Sequence, residues 1–323
     1  MNTIDNDIKN ILLNCYKKKY NIYDLDKTTF DLEIPNSARK HKVREFYILL
    51  YNNVRKLVLK LPTSKDDYKV INEYEILKKY NFYDNINMTK IIEDYQNGFI
   101  MEYVPSENLA ITINTLKRTK SLEIILLNTS KSIALFHSYS TKYELMNKDI
   151  EKIITKVLPD TEINVTKYLN INKDDLIPLS NLHGDLGIWN IRYDKLRNII
   201  SFIDWEDFQE VNIGILDLLN FIFTIPLALF EDYREIGFYN LFELVFYKDK
   251  YFKELIRLIF DEYCKIIKIP PKKILSFFPL YCQSMIFRIH SEGRSTENMF
   301  YKPFHDRFIN EQEECIKGIL NEK

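Results

Sequence analysis

Glycine is scarce in this 323-residue chain, with seven in all and none before Gly98. That excludes a P-loop or a glycine-rich dinucleotide turn near the N-terminus, because both need glycine where backbone amides approach phosphate. Cysteine is scarce too. Cys15, Cys264, Cys282 and Cys315 form no C-x-x-C pair and have no nearby histidine partner. This argues against a zinc site and suggests a reducing, cytoplasmic setting. Positive charge is not in surplus: 45 Lys and Arg stand against 46 Asp and Glu, a net charge of −1. No nucleic-acid partner is therefore expected. The chain does not open on a basic segment followed by an apolar run, so no signal peptide is expected. Its most apolar stretch, 214–230, contains Asp217, Asn220, Thr224 and Pro226. It is shorter than a bilayer span and reads as a buried helix, so no membrane association is expected.

Apolar residues make up 46% of the chain and charged residues 28%, enough to build a core without disulfide or metal staples. Ile4, Ile8, Ile11, Leu12 and Cys15 share a helical face. Residues 28–34, 43–51 and 54–61 are rich in β-branched and aromatic side chains and read as strands, with Asn52-Asn53 as a tight turn. Val70, Tyr74, Leu77 and Tyr80 share a face over 64–80, a helix with a start signal at Ser64 and Asp66. Strands follow at 90–95 and 99–104, joined at Gln96-Asn97-Gly98. After Pro105 the pattern turns helical, with a long helix over 122–139 and helices from Asp217 onward. A hairpin turn is expected at 194–198. The division is 1–104, a sheet with one inserted helix, and 105–323, a mainly helical part with a small hairpin inside it.

The chemistry concentrates in Asn181-Leu-His183-Gly-Asp185-Leu-Gly-Ile-Trp-Asn190, which contains H-x-D-x-x-x-x-N, the spacing of a kinase catalytic loop. Fourteen residues later Asp204 stands in Ile203-Asp204-Trp205-Glu206. Phosphoryl transfer requires these residue types. A carboxylate orients the attacking hydroxyl and takes its proton, which fits Asp185. An amide and a second carboxylate hold Mg2+ against the phosphates, which fits Asn190 and Asp204. Taken singly, Asp185 is also a plausible turn former and Lys60 an ordinary strand end.

The two motifs resemble the aminoglycoside phosphotransferase and choline kinase family, the small-molecule branch of the protein-kinase-like fold. In that branch glycine replaces the loop arginine and Asp-Trp-Glu stands where protein kinases carry Asp-Phe-Gly. Leu135-Phe-His137 is similar to the ending of the family's helix before the catalytic loop. The resemblance implies an α+β, protein-kinase-like two-lobed fold, with a small antiparallel-sheet N-lobe bearing one helix and a larger, mainly helical C-lobe. It implies that Lys60 meets the α- and β-phosphates and is steadied by Glu73, with Glu75 as the competitor. It further implies a hinge in which the carbonyl of Glu102 and the amide of Val104 bond the base. Asp217 would bond backbone amides of the catalytic loop. The phosphate-covering loop, Asn36-Ser-Ala-Arg-Lys-His-Lys42, departs from the pattern in having no glycine; Ser37 is its candidate contact to the β-phosphate. His183 reads as an organiser of the loop, and Trp189 and Trp205 as packing residues. His137, His290 and His305 read as structural or surface positions.

The expected activity is a Mg-dependent kinase that moves the γ-phosphate of ATP or GTP to a hydroxyl of a small molecule, such as an aminoglycoside, amino alcohol or sugar. The alternative is a non-catalytic nucleotide-binding pseudokinase of the same fold. The acceptor pocket is expected from residues 225–323. Between Asn198 and Tyr233 there is no Lys or Arg. Glu206, Asp207, Glu210, Glu231 and Asp232 therefore either face solvent or line an entrance suited to a neutral or cationic acceptor.

Overall fold

The computed structural model describes residues 3–22, 29–35, 44–64, 67–80, 87–158, 163–172 and 174–321. The chain forms two compact units. The first takes residues up to Glu107 together with Asn190–Phe208, and the second takes Asn108–Trp189 and Gln209 onward. This grouping differs from a division at residue 104 in two places: residues 105–107 and the segment Asn190–Phe208 belong with the sheet unit.

The first unit begins with α1 (Thr3–Tyr20), β1 (Phe30–Glu33), β2 (Arg44–Tyr51) and β3 (Val54–Pro62). Next come α2 (Tyr68–Lys79), β4 (Asn87–Met88), β5 (Ile91–Tyr95) and β6 (Gly98–Glu102). The antiparallel sheet has the order β1-β2-β3-β6-β5. Alternation along the strands sorts its side chains between two faces. Tyr47, Leu49, Leu57, Leu59 and Ile100 bury against Ile8, Leu12, Leu13 and Tyr16 of α1. Phe46, Ile48, Val58, Lys60 and Met101 line the opposite face. So α1 covers the back of the sheet, and the inserted helix α2 is not the only helix on it.

Both turns fall where expected. Asn52 and Asn53 take positive φ, 49° and 62°, which asparagine tolerates well. At the second turn the positive φ falls on Gln96 (51°) rather than on Gly98. Gly98 serves close approach instead: a Cβ there would lie 2.1 Å from the Lys60 carbonyl oxygen. α2 starts after Asp67, three residues past Ser64. A second small sheet pairs β10 (Ile191–Asp194) antiparallel with β11 (Ile199–Phe202), and β4 parallel with β11. Asp194 Oδ1 closes the β10–β11 turn by accepting from the amide of Leu196 at 2.9 Å.

In sequence, β7 (Glu107–Asn108) spans the boundary between the units. The second unit continues with α3 (Leu109–Leu116), α4 (Lys120–Ser138), β8 (Lys142–Leu145), α5 (Lys148–Thr155), α6 (Val165–Leu169) and β9 (Leu176–Leu182). After β12 (Gln209–Asn212), which joins β8 and β9 in a three-stranded sheet, the chain is helical. The apolar stretch expected as one buried helix is two, α7 (Ile215–Thr224) and α8 (Pro226–Leu229). Pro226 begins the second, since proline lacks the amide that would continue the first. Then come α9 (Tyr233–Glu243), a π-helical turn at Leu244–Lys248, α10 (Lys250–Ile267), α11 (Pro271–Ser276), α12 (Phe278–Ser291), α13 (Tyr301–Asn310) and α14 (Gln312–Leu320). Ser130 of α4 donates to the Ile259 carbonyl of α10 at 2.8 Å. Rings of Phe223, Phe242, Phe246, Phe278, Phe304 and Phe308 pack together from five elements. No helix among the described residues is long and apolar enough to cross a membrane.

Candidate active site

The first unit carries a cleft of about 260 Å³ on the face of its sheet opposite α1. Lys60 stands in the cleft wall, 1% exposed, at a β3 position whose parity turns it away from α1. Its ammonium bonds Glu73 of α2, and lies 3.0 Å from Asp204 Oδ1 and 3.4 Å from Glu206 Oε2. A buried ammonium needs such partners, because an unpaired charge out of water costs several kcal/mol. Glu73 is equally buried, and its Oε1 accepts from the Trp205 amide at 3.2 Å. Glu75, two residues along the helix and so on another face, is exposed. Glu73 is therefore the partner of Lys60.

Asp204 follows β11 with φ 67° and ψ 62°. That left-handed conformation is tolerable for aspartate and uncommon elsewhere, and such backbone clusters at functional positions. The short 3-10 turn Trp205–Asp207 then brings Glu206 under Lys60. Glu206 was not singled out as a site residue in the sequence, although it stands two places after Asp204. Lys69 of α2 holds it from the other side at 3.5 Å and pairs with Asp207 at 2.7 Å. Thus two of the five acids expected at solvent or an acceptor entrance belong to ion pairs of the first unit. A third, Glu231, pairs with Lys117 at 2.7 Å, while Glu210 and Asp232 are exposed.

Asn190 lines the same cleft, and its carbonyl accepts from the Ile203 amide at 3.0 Å, tying the two sides of the hairpin together. Oxygens of Glu73, Asp204 and Glu206 lie within 4.8 Å of one another. An all-oxygen set of carboxylates and one amide, with no soft ligand, fits magnesium. Glu102, Tyr103 and Val104 border the cleft's other end. The Tyr103 amide donates to Lys56 of β3 at 2.9 Å. Alternation along the extended chain then turns the carbonyl of Glu102 and the amide of Val104 away from β3. Ser37 lies outside the described residues.

The second unit carries Asp185. α7 builds its loop. Asp217, 1% exposed, accepts from the amides of His183 at 2.6 Å and Gly184 at 3.0 Å. Gly184 takes φ 86°. One and two turns further along α7, Asn220 and Thr224 are buried too, and Thr224 Oγ1 accepts from the Ile188 amide at 3.2 Å. The spacing 217, 220, 224 places all three on one helical face, and with the Asn220 amide turned to suit its neighbours its oxygen accepts from the amides of Gly187 at 3.1 Å and Leu186 at 3.2 Å. His183 Nδ1 accepts from the Asp185 amide at 3.3 Å. His137 closes the network, 3.3 Å from Asp217 and 2.8 Å from the Tyr263 hydroxyl. Arg288 of α12 lies 2.8 Å from Asp185 Oδ2, a contact that no local motif announced. Trp205 is fully buried, as packing requires, whereas Trp189 is 37% exposed and departs from that expectation. His290 bonds Thr296, and His305 bonds Tyr168, Gln283 and Asp306, so both are structural.

The architecture is a protein-kinase-like α+β fold, and solved structures of small-molecule kinases share it. A choline kinase from Cryptosporidium parvum Iowa II matches with a TM-score of 0.58, at 12% identity, over 92% of this chain and 93% of its own. A Plasmodium vivax ethanolamine kinase matches at 0.51, with 13% identity over 96% and 89%. A macrolide 2′-phosphotransferase from Brachybacterium faecium matches at 0.52, with 10% identity over 95% and 97%. These are the kinds of protein to which the motifs pointed. No protein-family model and no curated protein sequence matches the chain.

Proposed function

We propose that the protein is a magnesium-dependent phosphotransferase that moves the γ-phosphate of a nucleoside triphosphate to a hydroxyl group of a small molecule. The observation that carries this reading is the buried Lys60–Glu73 pair with Asp204 beside it, in a cleft bordered at its other end by Glu102, Tyr103 and Val104. Lys60, kept in place by Glu73, meets the phosphates. Asn190 and Asp204 would hold the metal, with Glu206 as a further oxygen within reach. Magnesium, when bound, neutralises the charge that builds on the transferred group. The base of the nucleotide is held by the carbonyl of Glu102 and the amide of Val104.

Asp185 orients the acceptor hydroxyl and takes its proton as the new oxygen–phosphorus bond forms. The bond from the γ-phosphorus to the bridging oxygen breaks, and the nucleoside diphosphate leaves with that electron pair. Asp217, Asn220 and Thr224 fix the loop that presents Asp185, and Arg288 steadies its carboxylate.

The test is phosphorus NMR on mixtures of protein, magnesium, ATP or GTP and hydroxylated metabolites or antibiotics. A phosphomonoester signal appearing with nucleoside diphosphate is the expected result. Asp185→Asn should keep the fold and nucleotide affinity and lower kcat by about 10²–10⁴. Turnover unchanged in that variant would remove Asp185 from the role. Nucleotide binding with no transfer to any acceptor would favour the pseudokinase alternative.

A further inference from the structure

Arg192 lines the same cleft as Lys60, Asn190 and Asp204. It stands two residues after Asn190 on β10, so strand alternation puts both side chains on one face. The other cation lining this cleft among the described residues has acidic partners, and so has Arg55 of β3. Lys60 is surrounded by carboxylates, and Arg55 bonds Glu33 and the Tyr103 hydroxyl. The Arg192 side chain, half-buried, has no ion pair or hydrogen bond with the described residues. Burial pulls its pKa below the ordinary arginine value, and the like charge of Arg55 adds to this, against an opposing contribution from Tyr103. A guanidinium that faces a ligand cleft with its donors unengaged is available to an acceptor that the ligand brings.

The position narrows what the ligand supplies. The groups within electrostatic reach of Arg192 are Tyr103 and Arg55, which mark the end of the cleft at Glu102 and Val104. Tyr103 borders the end of the cleft where the base is placed, so the base end of the nucleotide is within reach of Arg192. There the two purines differ. Guanine presents two acceptors on one edge, O6 and N7, which match the fork of a guanidinium. Adenine presents an amino group where O6 would be, setting donor against donor. Ile48, Val58, Met101 and Ile203 give the cleft an apolar lining suited to either base.

We propose that Arg192 selects the phosphate donor, and that the cleft takes a purine nucleotide with oxygen at C6, guanine in preference to adenine. This rests on the cleft's being a nucleotide site, as proposed above. The test is calorimetric titration of the full chain with the magnesium complexes of GDP, IDP and ADP, repeated on Arg192→Met. GDP should bind about 10-fold more tightly than ADP, within the range a good guanidinium–guanine pair supplies. IDP, which shares O6 and N7 but lacks the 2-amino group, should behave like GDP. In Arg192→Met the preference should collapse through weaker GDP and IDP binding. A misfolded variant would lose ADP binding as well, so the ratio separates recognition from damage. ADP binding as tightly as GDP in the unsubstituted protein overturns the proposal. So does an equal loss for all three nucleotides in Arg192→Met, which would place the guanidinium on the ribose or over the ring face. If no nucleotide binds at all, the nucleotide reading of the cleft falls with it.

Discussion

His305 shows how burial turns a side chain without a catalytic role into a source of pH dependence. It is enclosed by Tyr168, Gln283 and Asp306, and burial draws its pKa below the 6.5 of an ordinary histidine although the Asp306 carboxylate opposes this. Below that pH the unfolded chain binds a proton here that the folded chain resists. Stability therefore falls as the pH drops from 6.5 toward the folded value, and this residue's contribution is constant above. Urea unfolding of the protein and of His305→Gln at pH 7.5 and 5.5 should show a smaller pH difference in the variant. Equal differences would mean that the burial does not shift this proton. Legibility at this scale depended on locality. Glu73 was legible through the family resemblance, and the buried face that it shares with Val70 and Leu77 is why it, and not Glu75, meets Lys60. Arg192 was readable in principle from its spacing to Asn190, whereas Arg288 was not, since only tertiary packing brings α12 to Asp185.

Among the elements, strands and turns were the most legible, because alternation and asparagine-rich turns are local signals. The ends of β2, β3, β5 and β6 lie within two residues of expectation. What the local pattern missed was the purpose of Gly98, which depends on the neighbouring strand. A methyl group there meets the backbone of Lys60 itself, so β6 and β3 must separate at the residue that carries the ammonium. Gly98→Ala should cost about 3 kcal/mol in chemical denaturation, the upper part of the usual overpacking range. It should also weaken nucleotide binding more than a distant substitution of equal cost. Stability within about 0.5 kcal/mol of the parent would show that the strands accommodate the methyl group freely. The break between α7 and α8 was hidden for a different reason. Apolar periodicity continues through Pro226, and the missing amide, not the pattern, ends the helix.

At the scale of the molecule, the order of sheet, catalytic motif and helices was legible because each motif stands on the element that its chemistry requires. The grouping of Asn190–Phe208 with the sheet was not, because it depends on the pairing of Ser201 and Phe202 in β11 with Asn87 and Met88 in β4, more than a hundred residues earlier. That grouping puts Asn190 and Asp204 in the same compact unit as Lys60 and Glu73. The unit should then bind nucleotide and metal together. Thermal unfolding with GDP or ADP, with and without magnesium, in the protein and in Asp204→Ala, tests this most directly. A nucleotide at 100 times its Kd should add about 2.7 kcal/mol, a rise of about 5 °C in Tm for a chain of this size. Magnesium should raise Tm further in the protein and add nothing in Asp204→Ala, which should keep much of the effect of nucleotide alone. A magnesium increment that survives in Asp204→Ala, or a Tm that no nucleotide moves, would contradict the assignment of this cleft.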